Sequence, residues 1–113
     1  MPFTQKPKRI EINFIIKNQK NIVGGIFADL YHWNILYVCI LFVSEKHRNN
    51  KLGSILLSQV EEKAKSMGST LCHVDTYDFQ AKDFYIKQGY EVFGVLDDCP
   101  PGHKRYSLKK SLI

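Results

Sequence analysis

The stretch from Ser44 to Ser54, SEKHRNNKLGS, holds the chain's densest concentration of chemistry: His47, Arg48 and Lys51 stand close together, and Gly53 opens a helical pattern. Cations beside a helix start make an anion site. The first backbone N–H groups of a helix have no acceptor inside it, and the helix dipole is positive at that end. Phosphate or diphosphate is the anion that suits such a place. An ordinary strand-to-helix turn with a solvated basic loop has the same signature, so the rest of the chain must choose between the two.

Two elements have to position this loop. Ahead of it, Ile35 to Val43 (ILYVCILFV) is apolar throughout, the pattern of a strand covered on both faces. Behind it, Leu52, Leu56, Val60, Ala64 and Met67 recur at three- and four-residue steps. That spacing predicts a helix from about Gly53 to Met67, capped by Gly68, with Glu61 and Lys65 as an i,i+4 ion pair. Residues 1–9 are polar, with two prolines, and read as loose or edge-like. Ile10, Ile12, Phe14 and Ile16 alternate with polar residues, a half-buried strand. A turn at Asn18–Asn21 leads to an antiparallel return strand, Ile22 to Tyr31, in which Gly24 and Gly25 mark a bulge or a close backbone approach. His32-Trp33-Asn34 turns the chain again.

Beyond the helix, Thr70 to Tyr77 reads as a strand and Gln80 to Gln88 as a short helix ending at Gly89. Tyr90 to Leu96 and Arg105 to Leu112 are closing strands around a Pro100-Pro101-Gly102 loop. The order is βββ-α-β-α-ββ, an α+β fold with a mixed, mostly antiparallel sheet. A strand–helix–strand passage through residues 35–77 demands a crossover, so those two strands lie parallel. Parallel neighbours in such a sheet can splay at their C-terminal ends, where ligands bind. The basic loop lies at that end.

With 113 residues the chain has room for one domain, taken as residues 1–113. Its longest apolar run, residues 35–43, is too short to span a membrane, and its start lacks a secretory pattern. Cys39, Cys72 and Cys99 have neither metal-like spacing nor an even count, which points to no metal, no disulfide framework and a cytoplasmic setting. Cys39 and Cys72 sit in apolar strands and read as core residues. The net charge of +5 gathers at residues 6–9, 46–51 and 103–110. It suits a small ligand carrying several phosphates. No basic-aromatic interleaving marks a stacking platform, which speaks against nucleic acid.

Arg48-Asn49-Asn50-Lys51-Leu52-Gly53-Ser54 resembles the coenzyme A loop of the GNAT acetyltransferases, Gln/Arg-x-x-Gly-x-Gly/Ala, with Lys51 where the family has its first glycine. Asp78 to Tyr90 resembles a second signature of that family through Ala81, Phe84, Tyr85, Gly89 and Tyr90, with Asp78 in place of the usual asparagine. The resemblance extends over roughly residues 10–112 and implies a GNAT-like fold without the family's usual leading strand and two helices, an N-terminally short member. It implies an acetyl-CoA-dependent N-acetyltransferase acting on a primary amine by direct attack. The backbone of Phe42 and Val43 would bond the pantetheine arm, and the N–H groups of Arg48, Asn49, Asn50, Lys51, Leu52, Gly53 and Ser54 would hold the diphosphate. A backbone N–H near Val43 would hold the oxyanion, and Tyr85 would protonate the leaving thiolate or hold the sulfur. Asp75, Glu45, His73, Asp78 or a water chain would take the amine's proton. His32, His47 and His103 read as surface residues. The sheet face left bare by the missing helices predicts a homodimer. The competing reading is a shortened domain serving as a coenzyme A-binding or dimeric scaffold.

Overall fold

The computed structural model describes residues 9–113, so the loose leading segment falls outside the described residues but for Arg9. Three strands come first: β1 (Ile10–Asn18), β2 (Asn21–Tyr31) and β3 (Ile35–Val43). Then come α1 (Leu52–Ser66), β4 (Leu71–Tyr77), α2 (Lys82–Lys87), β5 (Glu91–Asp97) and β6 (Lys104–Ser111). The expected βββ-α-β-α-ββ order holds, with boundaries shifted by one or two residues. The six strands form one sheet in the order β1-β2-β3-β4-β6-β5. Every neighbouring pair is antiparallel except β3 and β4. No helix among the described residues is long and apolar enough to cross a membrane.

One hydrophobic core lies on one face of this sheet. Ile26, Leu36, Val38, Cys72 and Leu108 pack from the strands against Leu56, Val60 and Ala64 of α1 and Tyr85 of α2. The two helices therefore share a face, and the other face carries no helix among the described residues. This corrects the reading of β3 as covered on both sides. Cys39, Ile40 and Phe42 are exposed, and Cys39 is no core residue: its Sγ lies 3.4 Å from Asp29 Oδ2 on the open face. An unbroken apolar run cannot reveal that one of its faces lacks a partner.

A bulge in β3 separates the strand into two halves that bury opposite sets of side chains. Its register against β2 passes from Ala28↔Val38 to Phe27↔Ile40, leaving Cys39 as an extra residue. The extra residue reverses which side chains face inward. Leu36 and Val38 point to the core before it, and Leu41 and Val43 after it. The parallel ladder with β4 pairs only Leu36–Val38 with Cys72–Val74. Past the bulge the two strands part.

Glu61 does not pair with Lys65. It is buried on the inner side of α1, where its Oε1 takes Lys110 Nζ at 2.9 Å and its Oε2 accepts the Tyr90 hydroxyl at 2.7 Å. Lys65 instead lies 3.5 Å from Glu62. Gly68, at φ +92°, ends α1 in the left-handed conformation that glycine adopts without penalty.

Candidate active site

The parting of β3 from β4 opens two cavities that meet. A cleft of about 740 Å³ on the helix side is lined by Phe42, Val43, Arg48, Lys51, Gly53 and Ser54, six of the nine residues expected to hold a cofactor. A second cavity, of about 360 Å³, runs between the strands to the open face, past Tyr37, Asp75, Tyr77 and Arg105. Leu41, Ala81 and Tyr85 line both.

The loop before α1 is not irregular. Glu45–Asn50 winds as a 3-10 turn, and Lys51 stands next at φ 59°, ψ 21°, in the left-handed region. Lysine there costs about 1 kcal/mol relative to glycine. Internal i→i+3 bonding occupies the later amides of a 3-10 turn, so Asn49 and Asn50 belong to that turn. The helix proper makes its first backbone bond from Ile55 N–H to the Lys51 carbonyl, at 3.1 Å. The amides of Leu52, Gly53 and Ser54 precede it and have no intrahelical acceptor. No side chain caps this end, because the cap residue is Lys51 and the Ser54 hydroxyl donates back to the Lys51 carbonyl at 3.1 Å.

On β3, Ser44 N–H bonds the Val23 carbonyl at 2.8 Å, so that residue faces β2. Alternation along the strand turns the backbone groups of Val43 and Leu41 the other way, into the cleft, and turns the backbone of Phe42, expected to bond the pantetheine arm, toward β2 instead. Arg48 Nε–H donates to the Val43 carbonyl at 3.1 Å. A Cβ on Gly53 would stand 3.4 Å from the Phe84 ring, so the start of α1 rests directly on α2.

Tyr85 is only 5% exposed, with its ring edge-on to Phe84 and Tyr90 at centroid distances of 5.2 and 5.6 Å. Its hydroxyl has no hydrogen-bond partner among the described residues. No buried side-chain oxygen among them is left unpartnered, so this hydroxyl opens to the cavities rather than being sealed. Burial first, then the charges of Cys72 and Tyr37, push its pKa above the usual phenol value. It is a neutral donor throughout the physiological range.

Among the described residues, Asp75 is the candidate base that lines these two cavities, and its oxygens are occupied. Oδ1 accepts Ser107 Oγ at 2.7 Å, while Oδ2 accepts Arg105 Nη2 at 2.7 Å and the Tyr37 hydroxyl at 3.0 Å. Burial alone would raise its pKa; the bonds from Ser107, Arg105 and Tyr37 outweigh that and hold it below the usual value. A carboxylate so held is a weak base. It also fixes Tyr37, whose pKa burial and this bond push up to about 12. His73 sits beside it, bonded to the Tyr31 hydroxyl at 2.6 Å. Glu45 is exposed on the 3-10 turn, and Asp78 is exposed and bonded to His103 Nδ1 at 2.9 Å and Lys104 N–H at 2.8 Å. His47 is half-buried, its Nδ1 2.8 Å from Ser44 Oγ.

Arg105, Tyr37 and Ser107 were not legible as site residues. Arg105 and Ser107 read as the polar residues of an alternating strand and Tyr37 as part of an apolar run, and only the registers Asp75↔Ser107, Tyr77↔Arg105 and Tyr37↔His73 bring them together.

A cleft on the helix face that meets, at Leu41, Ala81 and the Tyr85 phenol, a cavity running through the sheet suits a reaction between two substrates that arrive from opposite sides. Residues 3–90 match the model of the acetyltransferase (GNAT) family. A blasticidin-S acetyltransferase from Streptomyces morookaense is 31% identical over 108 residues, spanning 95% of this chain and 79% of the relative. The crystal structure of an acetyltransferase from Bacillus cereus ATCC 14579 superposes with a TM-score of 0.86 at 36% identity, covering 91% of this chain and 74% of that one. An aminoglycoside 6'-N-acetyltransferase complexed with coenzyme A, 22% identical, shares the fold at a TM-score of 0.82 over 96% of this chain and 75% of its own. The chain belongs to the GNAT acetyltransferase family and is an N-acetyltransferase.

Proposed function

We propose that the protein transfers the acetyl group of acetyl-CoA to a primary amine by direct attack, without a covalent intermediate on the protein. The observation that carries this reading is the meeting of the two cavities at Tyr85, with the uncapped start of α1 in one of them. The amides of Leu52, Gly53 and Ser54, with Arg48 and Lys51 beside them, would hold the diphosphate. The outward backbone of Val43 and Leu41 would bond the pantetheine arm, Arg48 giving up the Val43 carbonyl as it does so. The amine, entering from the open face, adds to the thioester carbonyl, forming the C–N bond and an oxyanion whose collapse then breaks the C–S bond. A backbone N–H near Val43 steadies the oxyanion. Tyr85 gives its proton to the departing sulfur and regains one from solvent. The amine's proton leaves through water, because Asp75 is committed to Ser107, Arg105 and Tyr37. The structural relative that holds coenzyme A lends support to the choice of carrier.

The test is thiol release from acetyl-CoA with a panel of primary amines. Amine-dependent release supports the reading; binding of acetyl-CoA without release under any amine would favour the competing scaffold reading. One observation favours that alternative: the strained Lys51 at the loop's turning point. The proposal also includes a homodimer. Val92, Phe93, Val95 and Leu96 expose apolar surface along the edge strand β5, and an isologous contact there would cover it. A solution mass near 13.1 kDa rather than twice that would rule the dimer out.

A further inference from the structure

The geometry points to an acceptor amine that also carries a carboxylate, anchored by Arg105. This inference rests on the transferase reading and concerns only its acceptor side. Among the described residues, Asp75 and Arg105 are the only formally charged ones lining the strand-to-strand cavity, and they are bonded to each other at 2.7 Å. Their hydrogen-bonding capacities are unequal. The carboxylate of Asp75 already accepts three bonds, from Ser107, Arg105 and Tyr37. The guanidinium of Arg105 spends Nη2 on Asp75 and lies within reach of the Cys99 thiol. A guanidinium carries five N–H donors, so most of them stay available. Its side chain is 34% exposed, open to a ligand rather than locked in the core.

What the cavity offers a charged substituent is therefore donors. A polycationic acceptor would need free carboxylates in the cavity, and the one acidic residue lining it among the described residues, Asp75, is engaged. All 11 of its acidic residues lie within the described region. Asp29 is engaged with Arg9 at 2.9 Å, Asp78 with His103 and Lys104, and Asp75 with Arg105 and its two hydroxyl donors. A carboxylate can take two N–H donors from one guanidinium side by side. Tyr77, which lines the same cavity and stacks on Phe79 at a centroid distance of 5.3 Å, adds an apolar wall for the spacer between amine and carboxylate.

The experiment compares matched acceptors with the intact protein: amino acids and ω-amino acids of increasing length, each as carboxylate and as carboxamide, with spermidine as the polycation. We expect kcat/KM for at least one carboxylate to exceed its carboxamide by about tenfold or more, the size of a charge-assisted hydrogen bond, mostly through KM. We expect spermidine to be the poorer acceptor. Arg105→Gln should collapse the ratio and move preference toward spermidine, since Asp75 loses a cation; Arg105→Lys should keep part of it. Carboxamides equal to or better than every carboxylate would overturn the inference while leaving the transferase standing. If no amine is turned over, the transferase reading itself fails, and the thermal midpoint with coenzyme A and each pair still judges the site: a carboxylate must raise it more than its carboxamide. The comparison on the unaltered protein decides the matter even if the variants do not fold.

Discussion

Lys51 sets a local conformational cost against an electrostatic gain. At φ 59° a glycine would sit without strain. Lys51→Gly should therefore raise the thermal midpoint by a few degrees, corresponding to about 1 kcal/mol. The same change should weaken acetyl-CoA binding if the ammonium contacts phosphate, and the loss should shrink as salt is added. An unchanged affinity in calorimetry would show the position to be indifferent to the ligand. Tyr85→Phe should leave acetyl-CoA binding intact and lower kcat by about a hundredfold, the usual contribution of a positioned general acid. The His73 imidazole predicts a pH effect of definite sign. Burial lowers its pKa below 6.5, with Asp75 opposing. The folded form thus takes a proton less readily than the unfolded one. Its contribution to stability is complete above about 6.5 and is lost as pH falls through the folded value. Thermal midpoints measured from pH 7.5 to 5 should fall, and His73→Gln should flatten that part of the curve. The depressed Asp75 acts in a lower window, below its ordinary value of 3.8.

At the scale of elements, α1 is held to the sheet by apolar packing and by one buried polar junction. Glu61 joins Lys110 on β6 and the Tyr90 hydroxyl, which in turn lies 3.1 Å from Cys72 Sγ on β4. Glu61→Ala would leave a largely buried ammonium and phenol without their acceptor. Urea unfolding should show a loss of about 3 kcal/mol. This junction was invisible in the sequence, where Lys65 stood one turn away and Lys110 stood 49 residues off. The strands and helices themselves were legible, because alternation in β1 and the three-and-four spacing of Leu52, Leu56, Val60, Ala64 and Met67 are local signals. The parallel pairing of β3 with β4 was legible from the crossover between them. The bulge at Cys39 was not, since no residue type announces it, and without it the run ILYVCILFV reads as buried throughout. The loop's motif was legible too, but its 3-10 winding was not. That winding narrows the free amides from the whole stretch to Leu52, Gly53 and Ser54.

At the scale of the whole molecule, the sheet has two unlike faces. One carries both helices and the apolar core; the other is open, lined by Tyr31, Tyr37, His73, Asp75 and Arg105 and crossed by the mouth of the cavity between β3 and β4. The split in the sheet connects them, so carrier and acceptor need not compete for one entrance. The net charge of +5, with Arg48, Lys51 and Lys87 around the carrier cleft, predicts that binding of a phosphorylated carrier weakens as ionic strength rises. The central claim is that the amides at the start of α1, with the outward backbone of β3, grip the carrier. Titration of acetyl-CoA into ¹⁵N-labelled protein, monitored amide by amide, tests it most directly. The largest shifts should fall on Leu52, Gly53 and Ser54, with Leu41 and Val43 moving in step. Saturable binding that leaves those five amides in place would contradict the account.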